Sequence, residues 1–181
     1  MKPAAQFGVA LVVAGLAIAM SEATKPGNLR DAARSDSAVG REAPSFALPR
    51  LSDGQRVALE DHRGHVVLID FWATHCGPCR ASMPHLNALE RRFADEDFVI
   101  VSVNVDAPEP GQENVLRDFV ERYRMEYDVL VDNGTASMKY QARRIPLVYI
   151  VGRDGVVQAV HRGYTERSVL EASALRALDD A

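Results

Sequence analysis

The sequence predicts an α/β fold, a central β-sheet with helices on both faces and a β-hairpin extension at its N-terminal side, and three observations carry that prediction. Residues 65–72 (HVVLIDFW) and 98–105 (FVIVSVNV) are nearly continuous apolar runs of β-branched and aromatic residues, as strands covered on both faces read. Between them Met83, Leu86, Leu89 and Phe93 recur at helical spacing, so the three pieces make a β-α-β unit, which crosses over right-handedly. Apolar runs at 147–151 and 156–160, joined by Arg153-Asp154-Gly155, lead into a helical pattern from about residue 166 to 178, a β-β-α ending.

The remaining elements follow in chain order. Two short alternating stretches within 46–59 flank Ser52-Asp53-Gly54, a hairpin signal. Pro84 falls inside the first helical pattern and is expected to kink it, because proline removes a donor and crowds the preceding turn. Residues 106–113, with two prolines and a glycine, read as a loop. Val115, Leu116, Phe119, Val120 and Tyr123 then mark a second helix to about residue 124, followed by a short strand at 129–131, an Asn133-Gly134 turn and a brief helix near 137–141.

Ahead of this domain, Met1-Lys2 gives a positive start and residues 7–20 an unbroken run of apolar and small side chains, the layout of a secretory signal. Small residues at Ala17 and Ala19, or at Ser21 and Ala23, offer cleavage sites; counted from Pro3, the stretch is long enough to remain as a membrane anchor instead. Residues 1–23 are therefore read as signal peptide or anchor, 24–43 as a flexible linker without apolar periodicity, and 44–181 as one folded domain. The expected location is periplasmic or otherwise extracytoplasmic, secreted or held to the membrane by the N-terminus. The mild acidity, 21 Lys and Arg against 25 Asp and Glu with no massed cations, excludes a nucleic-acid footprint, which needs a clustered positive face.

The chemistry falls to the two cysteines, both in one C-x-x-C. Cys76 and Cys79 stand three apart at the start of the first helical pattern, on one face and within bridging reach. As a structural staple the pair is poor, since closing so small a loop stabilises by only about 2 kcal/mol. At a helix N-terminus, unsatisfied N–H groups and the positive dipole end favour a thiolate at Cys76, the expected nucleophile; Cys79, one turn in, is the expected resolving thiol. The competing readings are an inert bridge or half of a zinc site. The latter lacks a second C-x-x-C and would have to recruit from His62, His65, His75, His85 and His161. No metal and no cofactor is expected.

The stretch LIDFWATHCGPCRASMP, residues 68–84, resembles thioredoxin, and with the leader, spacer, hairpin and MPHLNAL segment it is similar to the exported TlpA/ResA/CcmG branch over about residues 43–178. That resemblance implies a thioredoxin fold with a mixed central sheet, protein disulfides as substrates, and a cis proline beside the active site. The matching position is Pro146, preceded by Ile145, and both are expected at the substrate-binding surface with Trp72. Asp70, six residues before Cys76, aligns with the buried acid of thioredoxin. A carboxyl in the middle of an apolar strand should have its pKa raised by desolvation, and the resemblance implies that it accepts the Cys79 proton. His75 departs from the pattern, which carries Trp before the first cysteine; a protonated imidazole there would stabilise the Cys76 thiolate, a neutral one would do little. Gly77 and Pro78 complete the active-site turn.

The mechanism read from these residues starts with Cys76 thiolate attacking a substrate disulfide, after which Cys79 releases the reduced substrate. Cys-Gly-Pro-Cys is also the thioredoxin setting, a reductant near about −270 mV against roughly −180 mV for protein disulfide isomerase, a gap worth about 4 kcal/mol. That analogy favours a reductase supplied with electrons by a thiol-reducing membrane partner, with the haem-attachment cysteines of apocytochrome c or the cysteines of a copper site as implied substrates. Two alternatives stand beside it: a copper metallochaperone using the same cysteines, with help from His75, Met83 or His85, and a disulfide oxidase or isomerase, which differs only in potential.

Overall fold

The computed structural model describes residues 36–180, so the expected signal peptide or anchor and most of the expected linker lie outside the described residues. Among the described residues no helix is long and apolar enough to cross a membrane. A hairpin of β1 (Ala47–Pro49) and β2 (Arg56–Ala58) precedes a 3₁₀ turn at Leu59–His62. There follow β3 (Val66–Trp72), α1 (Gly77–Arg92), β4 (Phe98–Asn104), α2 (Gln112–Tyr123), β5 (Asp128–Val131), α3 (Thr135–Lys139), β6 (Leu147–Val151), β7 (Val157–Arg162) and α4 (Arg167–Asp179). The five-stranded sheet runs β5-β4-β3-β6-β7, with β3, β4 and β5 parallel and β6 and β7 antiparallel to their neighbours. It is the mixed central sheet of a thioredoxin fold.

Alternation along the central strand divides the core. Val66, Leu68 and Trp72 of β3 face α1, α2 and α4 and pack with Met83, Leu86, Leu89, Leu116, Leu170 and Ala174. Val67, Ile69 and Phe71 point the other way, where the hairpin residues Phe46, Leu48 and Val57 and the short α3 with Tyr140 close the second face. Helices thus lie on both faces, but three full helices cover one while the second is covered mainly by the hairpin. All seven residues of β3 are buried, which is why that strand reads as a continuous apolar run rather than an alternating one.

The folded domain begins before the expected boundary at Pro44. The Gly40 N–H donates to Val157 O and the Ala43 N–H to Gly155 O, while Glu42 forms a bridge with Val156, so this stretch extends along the β7 edge. Its Gly-Arg-Glu-Ala sequence concealed that pairing, because an edge segment held through backbone hydrogen bonds needs no apolar periodicity.

Candidate active site

Cys76 is the N-cap of α1 and Gly77 the first helical residue, so the dithiol lies where the carboxyl end of β3 meets a helix N-terminus. The local sequence builds this directly. Cys76 is extended (φ −82°, ψ 104°) and its Sγ accepts the Cys79 N–H at 3.2 Å, serving one of the amides that a helix leaves unpaired at its start. Pro78 sits in the first turn, where a missing N–H costs nothing. The first turn carries no acidic side chain, so nothing there opposes the positive end of the helix. Cys76 and Cys79 are joined by a disulfide, with Cys76 8% exposed and Cys79 2% exposed. The outer sulfur is the more accessible one.

Beneath the pair, Asp70 is 2% exposed and pairs in register with Ser102 of β4 and Val148 of β6. It shares its face of β3 with Leu68 and Trp72, the face on which Cys79 and Met83 of α1 pack. Burial pushes its carboxyl up to about 7. Neither Asp70 Oδ1 nor Ser102 Oγ makes a hydrogen bond. Such a group is uncharged in acid and ionises near neutrality, the range in which a proton acceptor for a thiol has to work.

The turn before Cys76 is held by a residue that the sequence reading passed over as loop. Asp106 accepts the Thr74 N–H at 3.0 Å and the Asn104 Nδ2 at 2.9 Å through Oδ2, and its Oδ1 lies 3.2 Å from His75 Nδ1. Arg80 Nη1 donates to Thr74 O at 2.9 Å from the other side. The signal was available in kind, since an aspartate two residues beyond an asparagine at the end of a buried strand is a turn-forming pair. Its partner across the active site is not deducible from spacing.

The other expected positions are placed as follows. The Ile145–Pro146 peptide bond is cis, with Pro146 buried and Ile145 half-buried at the start of β6. Pro146 O accepts the Gly163 N–H at 2.8 Å. Gly77 and Pro78 are exposed, and a Cβ at Gly77 would meet only Arg80 Nη2 at 3.7 Å, an ordinary contact. Trp72 is a correction: it is fully buried and stacks on Phe119 of α2 with ring centroids 5.0 Å apart, so it offers no docking surface. It lies on the face of β3 that Leu68 shares, under the cover of α2. His75 is 79% exposed at its side chain and among the described residues pairs with Asp106 alone. Among the described residues no group of three or more His, Cys, Asp or Glu side chains is arranged to hold a metal.

The comparisons with known proteins agree with this geometry. The family model described as "AhpC/TSA family" matches residues 39–160. The chain is 35% identical over 132 residues to the thioredoxin-like protein YneN of Bacillus subtilis, covering 73% of this chain and 76% of that protein. It is 31% identical over 140 residues to the thiol-disulfide oxidoreductase ResA of Halalkalibacterium halodurans, covering 76% and 77%. Among solved structures, a putative thiol:disulfide interchange protein DsbE from Chlorobium tepidum superposes with a TM-score of 0.70 at 34% identity, covering 77% of this chain and 97% of that one. With a dithiol at a helix N-terminus on a thioredoxin fold, and with relatives of this kind, the chain belongs to the AhpC/TSA family and is a thiol–disulfide oxidoreductase of the ResA and DsbE type.

Proposed function

We propose that this oxidoreductase reduces protein disulfides outside the cytoplasm, with Cys76 as nucleophile, Cys79 as resolving thiol and Asp70 as the proton acceptor for Cys79. The observation that carries the reading is the buried carboxyl of Asp70, raised to about 7 on the face of β3 against which Cys79 packs. Cys76 thiolate attacks one sulfur of the substrate disulfide, and the other sulfur leaves as a thiolate that takes a proton. Cys79 gives its proton to Asp70 and attacks Cys76 Sγ, which expels the second substrate sulfur. The balance is one enzyme dithiol and one substrate disulfide converted to one enzyme disulfide and one substrate dithiol, two electrons passing to the substrate. Ile145 and the cis Pro146 form the rim on which an extended substrate segment would lie.

Support for the reductase direction comes from the Cys-Gly-Pro-Cys setting; the names of the relatives, a thiol-disulfide oxidoreductase and a thiol:disulfide interchange protein, support disulfide exchange in either direction. In an oxidising compartment a reductase needs a dedicated electron supply, so the partner is a thiol-reducing membrane protein. Apocytochrome c or copper-site cysteines are the substrates this reading takes first. Trapping with Cys79→Ser tests it: the variant should accumulate a Cys76 mixed disulfide with its physiological substrate, identifiable by mass spectrometry. A chain that binds Cu(I) tightly and shows negligible exchange with any disulfide would sink the reading in favour of a metallochaperone.

A further inference from the structure

We propose that Ser102, Tyr127 and Glu90 form the route by which Asp70 exchanges its proton with solvent, opening not at the cysteines but into a cleft on the α2 side of the domain. The inference rests on the reading of Asp70 as the acceptor for Cys79. Each turnover leaves Asp70 holding a proton that must be lost before the next. The end of the site nearest the cysteines is closed, because Trp72, Ala73, Cys76 and Cys79 are all buried.

A different line leads out. The register places Ser102 beside Asp70 on β4 and Val129 beside Ser102 on β5, all on the face covered by α1. Tyr127 stands two residues before Val129 and therefore on the same face, and it packs in that same cluster. The cleft, about 610 Å³ in volume, is lined by Tyr127 and by Glu90 of α1 together with Val120, Met125 and Asp128. Asp70 Oδ1, Ser102 Oγ, Tyr127 Oη and Glu90 Oε2 are each buried without a hydrogen-bond partner, in a layer made mostly of apolar side chains. Unsatisfied polar atoms in a core are costly and rare, and these, running from the carboxylate to a cleft, call for an explanation. Hydroxyls both donate and accept, so Ser102 and Tyr127 can pass a proton between two carboxyls, in contact or through one water.

The electrostatics agree with the placement. The charges that act on the Tyr127 hydroxyl are Asp70 and Glu90, the two ends of the route, and burial raises it further. Glu90 is itself raised by burial and by Asp128 and Glu126, with the Ile100 backbone amide acting the other way. On the other side, β6 presents Val148 to Asp70, and the buried face of α4 consists of Leu170, Ser173, Ala174 and Ala177, none titratable. His161, two strands away on the same face, is paired with Ser173 at 3.1 Å.

The test uses the reduced full chain and a chromogenic aromatic disulfide, in which release of the first aromatic thiolate reads attack by Cys76 and release of the second reads resolution by Cys79. Tyr127→Phe should slow the second phase about tenfold at pH 6, where Asp70 starts protonated and must first lose its proton, and little at pH 8, while leaving the first phase within about twofold at both. Glu90→Gln should act in the same direction. In an Asp70→Asn background, Tyr127→Phe should cause no further slowing, because residues acting through one another are not additive. An unchanged second phase in Tyr127→Phe at pH 6, or an equal slowing with Asp70 already removed, overturns the route. Should Tyr127→Phe fail to fold by circular dichroism, Glu90→Gln at the half-buried rim decides by the same two criteria. If Asp70→Asn alone leaves resolution unchanged, the role of Asp70 fails; if it slows resolution and Tyr127→Phe does not, the route alone fails.

Discussion

Asp106 accepts the Thr74 backbone N–H at 3.0 Å, which ties the end of β4 to the turn that presents Cys76. The same carboxylate accepts the Asn104 side-chain amide and faces His75, so one residue positions the approach to the nucleophile. Its side chain is only 12% exposed, and hydrogen bonds to a charged acceptor contribute about 1.5–3 kcal/mol. Asp106→Ala should therefore cost about 2–3 kcal/mol in urea unfolding and slow attack on a disulfide reagent. Retention of both stability and rate would show that the turn holds itself.

His75 should behave differently. Its pair with Asp106 is solvent-exposed on the histidine side, and such pairs are worth about 0–1 kcal/mol. His75→Ala is expected to change unfolding free energy by less than about 1 kcal/mol. A larger loss would mean that the imidazole, and not the backbone amide of Thr74, is the principal partner of Asp106.

Asp70 gives a pH signature. Its carboxyl is near 3.8 unfolded and about 7 in the folded protein, so folding favours the protonated form. Stability from this group is complete below the unfolded value and is lost as pH rises to the folded value. Relative to Asp70→Asn, the wild type should thus lose up to about 4 kcal/mol between pH 4 and 7 and change little above that. Parallel unfolding titrations of the two proteins measure it, and pH-independent parallel curves would contradict the buried, uncompensated carboxyl.

His161 gives the opposite sign. Burial, followed by the charge of Arg176, lowers it from 6.5 to about 4 while its Nε2 lies 3.1 Å from Ser173 Oγ. The folded state holds it neutral, so its contribution is complete above the unfolded value and falls away as pH drops towards 4. NMR titration of the ring should find no charging above about pH 5. A midpoint near the ordinary histidine value would show that the site is open to solvent.

The sequence was most legible where local patterning and buried surface coincide. The runs 65–72 and 98–105, the C-x-x-C between strand and helix, and the β-β-α ending appear in the structure within a few residues of their expected bounds. Tertiary relations were not legible. The full burial of Trp72 comes from the cover over the carboxyl end of β3, where Phe119 of α2 stacks on it, a contact that no local spacing shows. Asp106 and Tyr127 act across gaps of 32 and 57 positions from Thr74 and Asp70, set by the register of β3, β4 and β5 rather than by spacing. The β7 edge pairing of residues 40–43 was hidden because it runs through backbone groups that every sequence has.

Stoichiometric oxidation of the reduced protein by a protein disulfide measures the activity itself. One disulfide should be reduced per chain, with none reduced by Cys76→Ser and with a stable covalent adduct of substrate and chain in Cys79→Ser. Undiminished turnover in Cys76→Ser, or no transfer of thiols from the wild type to any protein disulfide, would contradict a dithiol mechanism at this helix terminus.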